Sequence, residues 1–220
     1  MPPTSSLATR LADGLAAMRL SLSEGAQTQL VAYLELLAKW NRSYNLTAVR
    51  DPAEMVPRHL LDSLVALPYV LGETLADLGS GAGLPGIPLA IARPDLAVTL
   101  VESNGKKARF LREVARSLPL PNVEIEHTRV QEAVGSFDCV TARAFACVAD
   151  MLAWGGHLLA PHGRWLALKG HIDADEMAAI PDTFRITGVH PLNVPGISGE
   201  RHLVELARSG QRMPRPAMVG

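Results

Sequence analysis

Residues 75–89, Leu75-Ala76-Asp77-Leu78-Gly79-Ser80-Gly81-Ala82-Gly83-Leu84-Pro85-Gly86-Ile87-Pro88-Leu89, constrain this chain more than any other stretch. A short apolar strand ends at Asp77, a glycine-rich turn follows, and a helix begins near Gly86. Each of Gly79, Gly81, Gly83 and Gly86 costs about 0.5–1 kcal/mol of backbone entropy relative to alanine in regular structure. Four so close together imply a backbone that turns sharply or lets another molecule come near. A strand, such a turn and a helix N-terminus offer free N–H groups and a favourable dipole to a nucleotide-like ligand. Pro85 and Pro88 suit a first helical turn, where a missing N–H costs little. The spacing Gly81-x-Gly83-x-x-Gly86 also matches the dinucleotide fingerprint, a weak signal by itself.

Two acids sharpen the reading. Asp77, just before the turn, would repel a pyrophosphate but could bind an ammonium group. Glu102 ends the next apolar run, Val98-Thr99-Leu100-Val101, where an acid can accept both ribose hydroxyls. A ligand with an amino-acid end and a ribose but no phosphate fits better than a nicotinamide dinucleotide. S-adenosylmethionine is such a cofactor. The plainer alternatives are a generic strand–helix turn, and a Glu102 that only caps the helix starting near Asn104.

From residue 74 onwards strand and helix patterns alternate. Strands are expected at Thr74–Asp77, Ala97–Glu102, Val123–His127, Cys139–Ala142 and Arg164–Lys169, with helices at 86–93, 104–118, 129–134 and 147–160. That alternation implies right-handed crossovers and a mostly parallel α/β sheet. Phe184–Val194 and His202–Ala207, joined by Pro195-Gly196-Ile197-Ser198-Gly199, predict an antiparallel hairpin at one edge. Five parallel strands closed by such a hairpin resemble the Rossmann-like arrangement of class I methyltransferases.

Ahead of the sheet, residues 1–70 read as an N-terminal helical segment. Leu7–Met18 forms one helix. A second is capped by Ser21 or Ser23 and carries an amphipathic stripe of Leu30, Tyr33, Leu34, Leu37 and Trp40, ending at Asn41–Asn45. A third runs from about Pro57 to Leu67, with His59, Asp62 and Ser63 among its leucines. The expected division is thus 1–70 helical, 71–208 catalytic core and 209–220 a loose tail, with residues 1–6 disordered.

The 220 residues (23.6 kDa) are 48% apolar, enough for one α/β core, and no apolar run approaches a membrane span. Residues 1–20 lack a signal-peptide pattern, and Cys139 and Cys147 lack CxxC spacing, so a reduced cytoplasmic protein is expected. The seven histidines show no metal-binding spacing, and no metal site is expected. A net charge of −1 means that a nucleic-acid partner would need a local basic patch.

Several cations fall where such a patch could form. Arg129-Val130-Gln131-Glu132 follows the third strand, where the adenine end of a cofactor would lie. Arg143, in Thr141-Ala142-Arg143-Ala144-Phe145-Ala146, leaves the fourth strand at the ligand edge; it can stack on a base, bind phosphate or form a structural ion pair. The sequence lacks the Asn/Asp-Pro-Pro-aromatic run that would suggest methylation of an exocyclic amine. Lys106, Lys107, Arg109, Arg112 and Arg116 lie on one helix face that reads as solvated, with RNA backbone contact the sharper alternative. Lys169-Gly170 and Gly199-Glu200-Arg201-His202 sit at plausible ligand edges.

These motifs together resemble the RsmG (older name GidB) family. The resemblance rests on Asn45-Leu46-Thr47-Ala48, His59-Leu60-Leu61-Asp62-Ser63-Leu64 and the glycine turn. Gly105-Lys106-Lys107-Ala108-Arg109-Phe110-Leu111, Arg143-Ala144-Phe145-Ala146, Leu168-Lys169-Gly170 and Gly199-Glu200-Arg201-His202-Leu203 complete it. The motifs fall in the family's order over roughly residues 30–207. The resemblance implies S-adenosylmethionine-dependent methylation of guanine N7 at position 527 of 16S rRNA, by a monomer acting on the small ribosomal subunit. Carried over by motif, Asp77, Gly79, Gly81, Gly83 and Glu102 would hold the cofactor, with Arg129, Val130, Gln131 and Glu132 beside the adenine. Arg143 would be the main active-site arginine, also touching the cofactor, supported by Arg129, Lys169 and Arg201 as RNA contacts. Two departures stand out. Glu102-Ser103-Asn104 replaces Asp-Ser-Leu, lengthening the ribose-binding arm, and Gln131 replaces a glutamate. Other readings are a small-molecule methyltransferase on the same fold, a non-catalytic RNA-binding assembly factor and, last, a nicotinamide dehydrogenase.

Overall fold

The computed structural model describes residues 6–143 and 147–210. Residues 1–5 and 211–220, where disorder and a loose tail are expected, lie outside the described residues, as do Ala144, Phe145 and Ala146. The N-terminal helices are α1 (Leu7–Ala17) and α2 (Glu24–Tyr44). Ser23 caps α2, its Oγ accepting the Ala26 N–H at 3.2 Å, and Asn45 ends it in the left-handed region at φ 49°. Leu30, Tyr33, Leu34 and Leu37 of the stripe are fully buried, so its helical period is the packing face.

The third helix departs from expectation. It starts at α3 (Pro52–Met55), where Asp51 accepts the Ala53 N–H, passes through a π-helical turn at Val56–Leu61, and ends in α4 (Asp62–Leu64). The wider π turn rotates the residues after it relative to an α-helical projection. His59, Asp62 and Ser63, spaced i, i+3 and i+4, are all buried.

The sheet comprises β1 (Thr74–Leu78), β2 (Ala97–Val101), β3 (Val123–Glu126), β4 (Phe137–Arg143), β5 (Leu159–Lys169), β6 (Phe184–Pro191) and β7 (His202–Arg208). Its order is β3-β2-β1-β4-β5-β7-β6. The first five strands are parallel, and the closing hairpin is antiparallel, as the sequence predicts. Helices α5 (Gly86–Ala92), α6 (Gly105–Ser117), α7 (Val148–Gly155) and α8 (Ala174–Ala178) fill the connections.

Two expected elements change. Residues 129–134 form only a 3-10 turn at Val130–Glu132, because Arg129 and Ala133 are extended and Gly135 turns the chain toward β4. The helix expected to reach residue 160 stops at Gly155-Gly156, and β5 begins at Leu159, which pairs with Phe137.

Strand alternation decides which face each side chain takes. Leu75, Cys139, Leu166 and Leu168 join the cluster under α1, α2, α5 and α6. Ala76, Val140, Trp165 and Ala167 join the cluster that includes α7. Asp77 and Arg143 therefore fall on the face of the N-terminal helices, while Lys169 falls on the other. No helix of the described residues is long and apolar enough to cross a membrane.

Candidate active site

The chain leaves β1 toward β2 and β3, then returns on the other side of β1 with β4. Parallel sheets bind ligands beyond the carboxyl ends of their strands at such a switch point. That edge carries Asp77, Glu102, Arg143 and Lys169. Because β7 is antiparallel to β5, with Lys169 opposite His202, Arg201 and His202 arrive at the same edge.

The glycine turn is held from three sides. Gly79, Gly81 and Gly83 have φ of 64°, 60° and 91°, in the left-handed region that L side chains rarely adopt. At Gly86 the requirement is close approach instead: a Cβ there would strike Leu100 and Asp77. Asp77 is wholly buried; its Oδ2 accepts the Gly86 N–H at 3.0 Å, while its Oδ1 has no partner among the described residues. Burial pushes its carboxyl up to about 7, against the opposing Gly86 hydrogen bond and the Arg143 charge. Glu102 accepts the Gly81 N–H at 2.8 Å through Oε2 and the Asn104 N–H at 2.7 Å through Oε1. Each oxygen keeps a lone pair for a further donor.

The third brace comes from the N-terminal helices. The Tyr33 hydroxyl donates to the Ala82 carbonyl at 2.7 Å, and burial raises the phenol's pKa, so it stays a donor. Tyr33→Phe would leave that buried carbonyl unpaired. It is expected to cost about 1–3 kcal/mol in urea unfolding; an unchanged midpoint and slope would contradict this role.

Two clefts open on the edge and share Gly79 and Lys107. The first, ≈ 540 Å³, runs past Gly79, Ser80 and Gly81 to Asp62, Arg143, Lys169 and Arg201. The second, ≈ 680 Å³, is lined by Glu102, His127, Arg129, Val130, Gln131 and Glu132, among others.

In the first cleft three separate elements meet on one carboxylate. Arg143 Nη1 donates to Asp62 Oδ2 at 2.9 Å and to the Arg58 carbonyl at 3.3 Å. Arg201 Nε donates to Asp62 Oδ1 at 2.9 Å. The side chains of Arg143 and Asp62 are 19% and 12% exposed, so this pair is shielded from screening. Beside it, Thr47 Oγ1 and His59 Nε2 are 2.9 Å apart, and burial lowers the pKa of His59, keeping its ring neutral.

Most sequence-predicted residues are thus on the edge, but not as one cluster. Gly79, Gly81, Arg143, Lys169 and Arg201 line the first cleft. Glu102 and Arg129 through Glu132 line the second, which separates Arg129 from Arg143, Lys169 and Arg201. Asp77 lies beneath the turn and lines neither. Gly83 is packed beneath it too: a Cβ there would meet Ile87 and Leu111. Lys169 is engaged by Glu176, its Nζ 2.7 Å from Oε1, as expected from its place on the opposite face. Asp62, Lys107 and Tyr33 were not singled out by sequence as site residues. Lys107 reads in the sequence as one of five cations on a solvated face, with RNA backbone contact the alternative, and Tyr33 as part of an apolar stripe.

This sheet order, with a glycine turn after β1 and an acid after β2, defines a class I S-adenosylmethionine-dependent methyltransferase. The fold is shared with a SAM dependent methyltransferase from Aquifex aeolicus at TM-score 0.53 and 16% identity, over 71% of this chain and 93% of that one. The chain itself belongs to the GidB family, described as rRNA small subunit methyltransferase G, whose model matches residues 26–204. It is 55% identical over 206 residues to Ribosomal RNA small subunit methyltransferase G of Xanthomonas campestris pv. campestris (strain B100), covering 93% of this chain and 95% of the relative. The protein of the same name from Stenotrophomonas maltophilia (strain K279a) is 52% identical over 205 residues, covering 92% and 96%.

Proposed function

We propose that this enzyme methylates N7 of a single guanine in small-subunit rRNA, the guanine at position 527 of the reference bacterial 16S rRNA. The observation that carries the reading is the first cleft. It joins the glycine turn to Lys107, Arg143 and Arg201, which outnumber the one carboxylate Asp62 there and form the local basic patch that a chain of net charge −1 needs for a polyanion, while Lys169 is held by Glu176. S-adenosylmethionine supplies an electrophilic methyl group when bound. Its ammonium charge suits Asp77 beneath the turn, whose Oδ1 has no partner among the described residues, its ribose the spare lone pairs of Glu102, and its adenine the second cleft beside Val130 and Gln131, with Arg129 and Glu132 also lining it.

Guanine N7 already carries an in-plane lone pair, so no proton need leave before attack. The work of the protein is placement, which can supply about 7–11 kcal/mol. Arg143 and Arg201 hold the base or its phosphates, and a base within folded RNA is reached by flipping or from an exposed loop. The N-terminal helical segment furnishes the wall opposite the sheet edge through Thr47, His59 and Asp62. The enzyme acts as a monomer in the cytoplasm and needs no metal. Replacing the target guanine by 7-deazaguanosine, which lacks N7, is expected to abolish transfer; transfer at the ordinary rate would overturn the reading.

A further inference from the structure

We propose that Asp62 is the residue that recognises guanine, accepting hydrogen bonds from N1–H and the 2-amino group while N7 faces the glycine turn. The inference rests on the N7 reading above and extends it to base specificity. Guanine offers an acceptor edge, O6 and N7, and a donor edge, N1–H and the 2-amino group. With N7 committed to the methyl group, a partner for the donor edge must be an acceptor. Among the described residues lining the first cleft, Asp62 is the sole carboxylate; the other charged groups there, Lys107, Arg143, Lys169 and Arg201, are donors only.

The carboxylate is placed for that task. Its oxygens are each fixed by one guanidinium, Oδ2 by Arg143 and Oδ1 by Arg201, both at 2.9 Å. One lone pair remains on each oxygen, and two parallel donors of a guanine match two carboxylate oxygens. Anchoring by two cations from different elements, β4 and the β6–β7 hairpin, stops the side chain from turning away. A structural ion pair would need only one.

The placement also serves the reaction. As the N7 lone pair takes the methyl carbon, the C–S electron pair goes to sulfur, and the positive charge passes from the sulfonium to the purine. The N1–H and 2-amino protons become stronger donors as that charge arrives. Bonds to Asp62 therefore strengthen in the transition state more than in the ground state, which is what accelerates a step.

The test compares single-turnover methylation of three otherwise identical RNAs carrying guanosine, inosine or 7-deazaguanosine at the target. Inosine keeps N7 and N1–H but lacks the 2-amino group. The wild-type enzyme is expected to methylate the inosine RNA on the order of 10- to 100-fold more slowly, the effect of one hydrogen bond to a charged group. Asp62→Asn is expected to be slower on both RNAs, with the guanosine-to-inosine ratio collapsing to within about 3-fold. A role confined to holding Arg143 and Arg201 would lower both rates and leave the ratio intact, which overturns the proposal. Equal wild-type rates on guanosine and inosine would overturn it too, and this arm decides alone where Asp62→Asn does not fold. Methylation of the 7-deazaguanosine RNA would instead overturn the N7 reading and the inference with it.

Discussion

Arg143→Ala is expected to lower single-turnover methyl transfer by about 100-fold or more while leaving the dissociation constant for S-adenosylmethionine within a few-fold of wild type. The guanidinium sits at the end of β4 and is fixed by Asp62 and the Arg58 carbonyl, on the N-terminal segment. It lines the first cleft with the glycine turn, but not the second cleft, where Glu102 and Val130 lie. Loss of the side chain therefore removes the proposed substrate contact and frees Asp62 on one side. Arg201 still neutralises that carboxylate, so the stability cost stays below the roughly 3–5 kcal/mol of a fully broken buried pair. Equilibrium cofactor binding and single-turnover rates on the same preparation separate the two effects. An undiminished rate would remove Arg143 from the active site; a matching loss of cofactor affinity would move it to the cofactor.

Asp77→Asn is expected to weaken S-adenosylmethionine binding by about 100-fold, since the negative charge buried beneath the glycine turn, which would balance the cofactor's ammonium, is replaced by a neutral amide. An amide oxygen can still accept the Gly86 N–H, so the turn keeps its closure, which Asp77→Ala would lose. The same substitution changes how stability varies with pH. The folded pKa of Asp77, about 7, lies above its ordinary value of 3.8, because burial favours the neutral acid. The folded chain therefore binds the proton more tightly than the unfolded chain. The contribution is fully present below pH 3.8 and is lost as pH rises through 7. Relative to wild type, the apo Asp77→Asn protein should gain stability progressively between pH 4 and 8, by up to about 4 kcal/mol. Urea unfolding of both proteins at four pH values measures the difference. A difference independent of pH would show that Asp77 does not titrate in this window, and unchanged cofactor affinity would detach it from the site.

Both residues were legible from sequence because local pattern places them. Asp77 immediately precedes a glycine turn, and Arg143 ends a strand, so the alternation of strand and helix puts both at one edge. Glu102 follows by the same logic. Period 3.6 in α2 likewise gives its buried face, although it does not say that Tyr33, one of the stripe, would reach the Ala82 carbonyl.

What could not be read is carried by contacts distant in sequence. Asp62 meets Arg143 across 81 residues and Arg201 across 139, and nothing near Asp62 signals either partner. The π-helical turn at Val56–Leu61 hides this further, since it shifts the residues after it relative to a regular helical projection. Lys107 is chemically one of five cations on α6, and only its position beside Gly79 distinguishes it. The early start of β5 is obscured because Pro161 and Gly163 weaken any strand signal, although Leu159 pairs with Phe137.

The central claim is that this cleft transfers a methyl group to one guanine N7. The most direct measurement is transfer of labelled methyl from S-adenosylmethionine into small-subunit rRNA from cells lacking this gene, followed by mapping of the modified nucleotide. Label at N7 of the single guanine at position 527 is the predicted result. Cofactor binding with no label in naked rRNA, assembly intermediates or finished subunits would contradict it, and so would label at an exocyclic amine or a ribose.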